Sequence, residues 1–126
     1  MEISAVGVSA TDLSRAVAFY SLLGFSFPPF DAGEEHVESS NPGARLMIDS
    51  AELLTGLLGE PPRPGNTSAF AVRCPTRGQV DGLVTRVSAA GHAVVTEAYD
   101  APWGQRYATV ADPDGYRVDL YAPLPG

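Results

Sequence analysis

The chain repeats one helical pattern, and this repeat constrains its fold more than any other feature. The apolar residues that carry it are Leu13, Ala16, Val17 and Tyr20 in the first half and Val80, Leu83, Val84 and Val87 in the second. Both sets have the spacing i, i+3, i+4, i+7, which predicts one buried stripe of a helix. Gly24 and Gly91 follow the two stripes at the same distance and predict the helix ends. The chain is therefore expected to consist of two similar halves.

Strand patterns flank both helices. The predicted strands are Ile3–Val8, Phe25–Phe30, His36–Glu38 and Ala44–Asp49 in the first half, and Ser68–Arg73, one from Ala93, and two around Asp112–Gly115 in the second. Two prolines make Phe25–Phe30 an edge strand. Thr11 or Asp12 and Thr76 are placed to cap the helices. Each half therefore has the predicted order β-α-β-β-β.

The Asp112–Gly115 turn predicts a hairpin, because proline presets φ and glycine tolerates a positive φ. Side chains alternate between the faces of a strand. Tyr116, Val118 and Leu120 are then expected to face the core, with Arg117, Asp119 and Tyr121 on the other face. A polar row of this kind suits a concave ligand site better than a second core.

Composition and charge restrict the classes of function. The 126 residues indicate one domain, 1–126, with module one at about 1–60, a proline-rich linker at about 61–66 and module two at about 67–126. A net charge of −7 disfavours nucleic-acid binding and would concentrate cationic ligands. The single cysteine, Cys74, cannot form an internal disulfide and is expected to be a buried apolar residue. We expect a cytoplasmic protein that does not bind membranes, because no signal sequence or membrane-length apolar run is present.

Two segments resemble the vicinal oxygen chelate superfamily, which includes glyoxalase I, extradiol dioxygenases and bleomycin-resistance proteins. Ile3–Phe25 is similar to its opening strand, helix and Leu-Gly-Phe step, and Trp103–Leu120 is similar to its Trp-Gly…Asp-Pro-Asp-Gly ending. The resemblance implies an α+β fold of two βαβββ modules with curled mixed sheets that form an open cup. It also implies a homodimer, with sites in the cups or between subunits.

Enzymes of this superfamily usually hold a divalent metal through His or Glu on the cup face. The matching positions here are Ala5, Asp49, Thr67 or Ser68, and Asp119. None is histidine, and alanine has no donor atom, so no metal and no other cofactor are expected. The two histidines lie elsewhere in the chain: His92 follows a helix-ending glycine, and His36 reaches a pocket only if its strand faces inward.

The resemblance leaves two main functions open. The first is a metal-free protein that sequesters a small molecule, aromatic or cationic, such as a drug or natural product, in a cup or dimer crevice. The second is a lyase, isomerase or dioxygenase that uses a metal or a carboxylate, with Asp119 as general base. A module that serves only as a dimer interface is disfavoured by the mixed polar and aromatic cup face.

For the first function no catalytic residue is expected. The predicted ligand-binding residues are Trp103, Phe27, Phe30, Met47 and Tyr107 for stacking and apolar contact, and Asp49, Asp119, Arg106 and Arg117 for polar contact. The aromatic residues could instead pack in the core, and Arg117 could simply pair with Asp119 on one face of a strand.

Overall fold

A computed structural model of the chain describes residues 1–66 and 69–126. These form two compact units, Met1–Pro64 and Gly65–Gly126, which divide within the proline-rich segment 61–66. Thr67 and Ser68, one of the predicted ligand positions, lie outside the described residues.

The first unit contains a three-stranded mixed sheet and two helices. Its elements are β1 (Ala5–Ala10), α1 (Leu13–Leu22), β2 (His36–Glu38), β3 (Arg45–Ser50) and α2 (Ala51–Leu58). The strand order is β1-β3-β2, with β1 parallel and β2 antiparallel to β3. Leu46 and Ile48 of β3 are fully buried, so the alternate residues of β3 lie on the opposite face.

Helix α1 begins and ends where the sequence predicts. The Asp12 side chain accepts a hydrogen bond from the Arg15 backbone N–H at 3.2 Å, and Gly24, with φ of +99°, follows the last turn. The buried residues are Ala16, Phe19 and Tyr20. The buried face is therefore rotated from the predicted stripe toward Phe19.

Two features of the first unit differ from the predicted β-α-β-β-β order. Phe25–Phe30 is not a strand, since its consecutive prolines provide no N–H for a sheet ladder. Helix α2 was not predicted; the Ser50 hydroxyl caps it by accepting from the Leu53 N–H at 3.0 Å. The observed order is β-α-β-β-α.

The second unit has the predicted β-α-β-β-β order. Its elements are β4 (Phe70–Arg73), α3 (Arg77–Ala89), β5 (Val94–Ala101), β6 (Gln105–Ala111) and β7 (Arg117–Pro123). The strand order is β4-β7-β6-β5; β4 is parallel to β7, and the other pairs are antiparallel.

The predicted stripe of α3 is confirmed. Thr76 and Gln79 form a capping box at its start, and Gly91, with φ of +87°, lies just beyond its end. The residues that α3 buries are the four predicted ones, Val80, Leu83, Val84 and Val87. This helix packs on β5, β6 and β7 and covers one face of their sheet.

The β6–β7 hairpin is confirmed as well. Asp112 Oδ1 accepts hydrogen bonds from the backbone N–H groups of Asp114 at 2.9 Å and Tyr116 at 3.0 Å, and this holds the turn. Val118 and Leu120 are fully buried. Arg117, Asp119 and Tyr121 therefore lie on the opposite face, the one that α3 does not cover.

The α+β class is confirmed, with open mixed sheets of three and four strands. Among the described residues, no helix is long and apolar enough to span a bilayer.

Candidate ligand-binding site

A cleft of about 380 Å³ lies on the face of the second unit's sheet that α3 leaves uncovered. Its lining includes Val95 and Thr96 of β5, Tyr107 and Thr109 of β6, and Arg117 and Asp119 of β7. Small-molecule sites usually measure about 300–1,000 Å³, so the cleft has room for a small organic ligand.

A chain of hydrogen bonds crosses the floor of the cleft. The Thr109 hydroxyl lies 2.8 Å from Asp119 Oδ1 and 3.2 Å from the Tyr107 hydroxyl. Thr109 has one hydroxyl proton and an ionised carboxylate only accepts, so Thr109 donates to Asp119 and the Tyr107 O–H donates to Thr109. Asp119 also lines the cleft, so its carboxylate can accept a hydrogen bond from a ligand.

Tyr107 remains protonated at neutral pH. Burial raises its pKa above the ordinary value of 10, and the nearby Asp119 carboxylate adds to this shift. A neutral phenol is a hydrogen-bond donor, so Tyr107 can maintain the chain to Asp119 across the physiological pH range.

Arg117 supplies a positive charge at the edge of the cleft. Its side chain is exposed, and no ion pair or side-chain hydrogen bond of its guanidinium is found within the described residues. The alternative interpretation, a same-face ion pair of Arg117 with Asp119, is thus not formed, although both residues line the cleft. The guanidinium can donate hydrogen bonds to an acceptor on a ligand.

Three aromatic rings stand beside the cleft. Tyr99 of β5 lies opposite Tyr107 of β6, and Trp103 lies in the β5–β6 turn. Ring centroids are 5.2 Å apart for Trp103–Tyr107, 6.1 Å for Tyr99–Tyr107 and 6.3 Å for Tyr99–Trp103. Core packing, the alternative left open for Trp103, does not occur, because this residue is 57% exposed.

Arg106 lies away from the cleft. Its guanidinium donates to Asp81 of α3 at 2.8 Å and to Asp100 of β5 at 3.1 Å. The hydrogen bond to Asp81, and to a smaller extent that to Asp100, raises the pKa of Arg106 above its ordinary value. Alternation puts Arg106 on the α3 side of β6, opposite to Tyr107, so the structure assigns it to an ion-pair network rather than to this lining.

The other predicted ligand residues lie in the first unit. Phe30 lines a second cleft of about 410 Å³ there, together with carboxylates that include Asp12 and Glu52. Phe27 is half-buried and lies outside the linings of both clefts. Met47 and Asp49 share the face of β3 opposite to the buried residues of that strand.

Asp49 belongs to a charged network on that face. His36 Nδ1 lies 2.5 Å from Asp49 Oδ1, and His36 Nε2 lies 2.7 Å from Glu38 Oε2. Arg45 donates to the other oxygen of Glu38 at 2.6 Å. A carboxylate accepts at each ring nitrogen, so both nitrogens carry protons and His36 is a cation held between two anions.

The metal positions implied by the resemblance do not form a ligand set in the described residues. Ala5 ends in a methyl group, while Asp49 and Asp119 are already bonded to His36 and Thr109. No group of three or more His, Cys, Asp or Glu able to hold a metal ion occurs in residues 1–66 and 69–126. Within those ranges the buried side-chain oxygen left without a partner is that of Ser9, four residues and about 13 Å along β1 from Ala5. Ser9 is paired with Asp49 of β3, but one neutral hydroxyl beside one carboxylate is a poor ligand set for Zn²⁺ or Fe²⁺.

Sequence reasoning missed Thr109 and Tyr99. Thr109 is 6% exposed, and the register that puts it opposite Asp119 is set by the pairing of β6 with β7. Tyr99 follows two register shifts in the β5–β6 pair. The alternation of Tyr107 and Thr109 could have identified Thr109 as a neighbour of Asp119, whereas no local signal reveals the shifts.

Comparison with known proteins agrees with this architecture. A family model described as glyoxalase/bleomycin resistance protein/dioxygenase superfamily matches residues 2–120. A search of curated proteins found no match.

Solved structures show the same fold. A glyoxalase/bleomycin resistance protein/dioxygenase family enzyme from Burkholderia phytofirmans PsJN is 20% identical, with TM-score 0.83, covering 98% of this chain and 100% of that one. A glyoxalase-related enzyme from Fulvimarina pelagi is 24% identical, with TM-score 0.82 and coverages of 96% and 87%. Lactoylglutathione lyase from Agrobacterium tumefaciens is 20% identical, with TM-score 0.69 and coverages of 96% and 92%.

The family match spans nearly all of the chain, and the two mixed sheets agree with it. The chain therefore belongs to the glyoxalase/bleomycin resistance protein/dioxygenase superfamily.

Proposed function

We propose that this protein binds a small organic molecule in the cleft of its second unit and holds it without a metal ion, so that it sequesters the ligand rather than converting it. The observation that carries the proposal is the cleft itself, where the hydrogen-bonded carboxylate of Asp119 and the guanidinium of Arg117 line one cavity beside exposed aromatic rings. Concave sites with a few oriented polar groups are typical of small-molecule binding.

Charge and donor chemistry support the same proposal. The net charge of −7 favours the approach of cationic molecules. The described residues at the implied metal positions supply one alanine and two carboxylates that already have partners, a poor set for Zn²⁺ or Fe²⁺. Binding requires only contacts of the kind that the cleft provides.

The test begins with native mass spectrometry of the purified protein, to search for a small molecule that copurifies at a stoichiometric ratio. Asp119→Asn removes the charge from the cleft and keeps the shape, and Asp31→Asn makes the same change on an exposed loop of the first unit. We expect the first variant to lose the copurified molecule and the second to retain it. Equal retention by both variants, or no molecule with any preparation, would count against the proposal.

A carboxylate-based or metal-dependent lyase, isomerase or dioxygenase is the second candidate. It is favoured by Asp119, a carboxylate that lines the cleft, where a general base would contact a substrate. Elemental analysis of protein purified without chelator separates the two functions. A stoichiometric transition metal that Asp119→Asn removes would replace the first proposal with the second.

A further inference from the structure

We propose that Tyr99, Trp103 and Tyr107 form three walls of a receptor for an organic ammonium group, quaternary or N-methylated, carried by the ligand of the cleft. This inference rests on the proposed function and names the chemical class of the molecule that is bound. Tyr107 joins the two parts of the site, because it contacts both other rings and also lines the cleft.

The ring geometry suits a compact cation. The three planes stand at 77–88° to one another, and the centroids form a triangle with sides of 5.2–6.3 Å. A point about 5 Å from all three centroids exists above such a triangle, and a cation is attracted to a ring face within about 6 Å of its centroid. An ammonium group at that point would lie within about 6 Å of all three ring centroids.

Two of the three rings are exposed and therefore accessible to a ligand. Trp103 is 57% exposed and Tyr99 is 39% exposed, whereas tryptophan is highly buried on average. The indole N–H of Trp103 donates to Gln105 Oε1 at 3.0 Å, so the polar edge of the indole is already satisfied. What Trp103 offers a ligand is its π face, which attracts cations more strongly than the face of Tyr or Phe does.

The Asp119 carboxylate favours a cation beside the rings, and the Arg117 guanidinium of the same cleft would then face an acceptor elsewhere on the ligand. The Asp119 carboxylate is connected to the Tyr107 hydroxyl through Thr109, by contacts of 2.8 Å and 3.2 Å. The nearest guanidinium on the other face of β6, that of Arg106, is neutralised by Asp81 and Asp100. A methylated ammonium also fits better than an inorganic cation, because its methyl groups contact the rings and it sheds little hydration.

The experiment uses the full chain and two probes of equal shape, choline and its neutral isostere 3,3-dimethylbutan-1-ol. Proton NMR follows the methyl signal of each probe, which moves upfield when it lies over ring faces. We expect an upfield shift for choline and a dissociation constant about 3- to 30-fold lower than that of the alcohol, the range that cation–π attraction supplies.

A matched pair of substitutions separates the ring from its hydroxyl. The Tyr99 hydroxyl has no hydrogen bond among the described residues, so Tyr99→Phe should leave choline binding unchanged. Tyr99→Leu removes one wall and should weaken binding about 3- to 10-fold and reduce the upfield shift. Equal affinity for the two probes would overturn the inference. Choline binding that Tyr99→Leu leaves unchanged would also overturn it, because attraction to the acidic surface alone does not depend on this ring.

The failure of this inference can be distinguished from failure of the proposed function. Amide shifts of Thr109 and Asp119 are recorded with indole, a neutral aromatic probe. If indole perturbs them and choline does not, the ammonium receptor is wrong and the cleft remains a binding site; if neither probe perturbs them, both proposals fail. Concentration-dependent shifts of Tyr99 and Trp103 without a probe would show that a second copy of the chain covers the rings, and would also overturn the inference.

Discussion

His36 and Asp49 face each other across the β2–β3 pair, with His36 Nδ1 2.5 Å from Asp49 Oδ1. The other ring nitrogen, Nε2, lies 2.7 Å from Glu38 Oε2. Two of the three residues of β2, His36 and Glu38, therefore belong to one charged network. These contacts fasten the short edge strand β2 to β3 by side chains as well as by its few ladder hydrogen bonds.

The first prediction concerns the titration of His36. The hydrogen bond to Glu38, and then that to Asp49, raises its pKa above the ordinary 6.5. We expect an NMR titration of His36 to give a pKa above that value, lowered more by Glu38→Gln than by Asp49→Asn because Glu38 is the larger cause. A pKa of 6.5 or less in the unaltered protein would contradict this network.

The same shifts determine how stability depends on pH. The stabilisation from His36 is complete below pH 6.5 and is lost as the pH rises through its raised pKa. The hydrogen bond from His36 lowers the Glu38 pKa below 4.5, so that contribution is complete above pH 4.5 and is lost as the pH falls through the lowered value. Urea unfolding should show the largest difference between the unaltered protein and His36→Gln between pH 4.5 and 6.5. A difference that is constant from pH 4 to 9 would refute the assignment.

The second prediction concerns the floor of the cleft. Thr109→Val keeps the β-branched shape but removes the hydroxyl that donates to Asp119, and Thr109→Ser keeps the donor. Loss of one partly buried hydrogen bond to a charged group costs about 1–2 kcal/mol, so Thr109→Val should lower the free energy of unfolding by about that amount. Thr109→Ser should recover most of the loss in denaturant titrations. Equal stability of the two variants would mean that the Thr109–Asp119 bond contributes nothing.

The third prediction separates the two arginines. Arg106→Gln breaks the contacts with Asp81 and Asp100, so thermal unfolding should occur at a lower temperature, by an amount that decreases as salt is added. Ligand affinity should not change, because Arg106 lies on the α3 side of β6.

Arg117→Gln should have the reverse effects, with weaker binding of the copurified ligand and unaltered stability. Arg77→Gln on α3 is the charge-matched control. A lower affinity of Arg106→Gln for the copurified ligand would show that Arg106 contributes to the binding site after all.

The fourth prediction tests the core of the second unit. Leu120 of β7 is fully buried, whereas Leu57 of α2 is 73% exposed. Leu120→Ala should destabilise the protein by about 2–5 kcal/mol through lost burial and the cavity that remains. Leu57→Ala should change stability by less than about 0.5 kcal/mol. Similar effects of the two substitutions in chemical denaturation would contradict the alternation assigned to β7.

Local sequence patterns were sufficient to predict the buried and exposed faces of a single helix or strand. The stripe of α3 and the alternation of Val118 and Leu120 follow from the 3.6- and 2-residue periods of helix and strand, and both were predicted correctly. The turn at Asp112 was also predictable, because its side chain bonds its own neighbours. These features were enough to indicate an α+β fold and a polar face that carries Arg117 and Asp119.

Contacts between elements were not predictable in this way. In α1 the buried face includes Phe19, which the predicted stripe did not contain. The orientation of a helix depends on the elements that pack against it, and the spacing within the helix does not specify them. The segment 25–30 alternates like a strand, but a strand also needs a partner, and its prolines remove the N–H groups that would bind one.

By itself, the sequence determined the superfamily, the order of most elements and the polar face of β7, because these depend on spacing along one segment. Only the tertiary structure decided that Arg106 pairs with Asp81, that Thr109 binds Asp119, and that His36 lies between two carboxylates. Each of these depends on the register between strands or on the helix packed against them. The meeting of Tyr99 with Trp103 and Tyr107 has the same origin, since register shifts in the β5–β6 pair change which β5 residues share a face with β6.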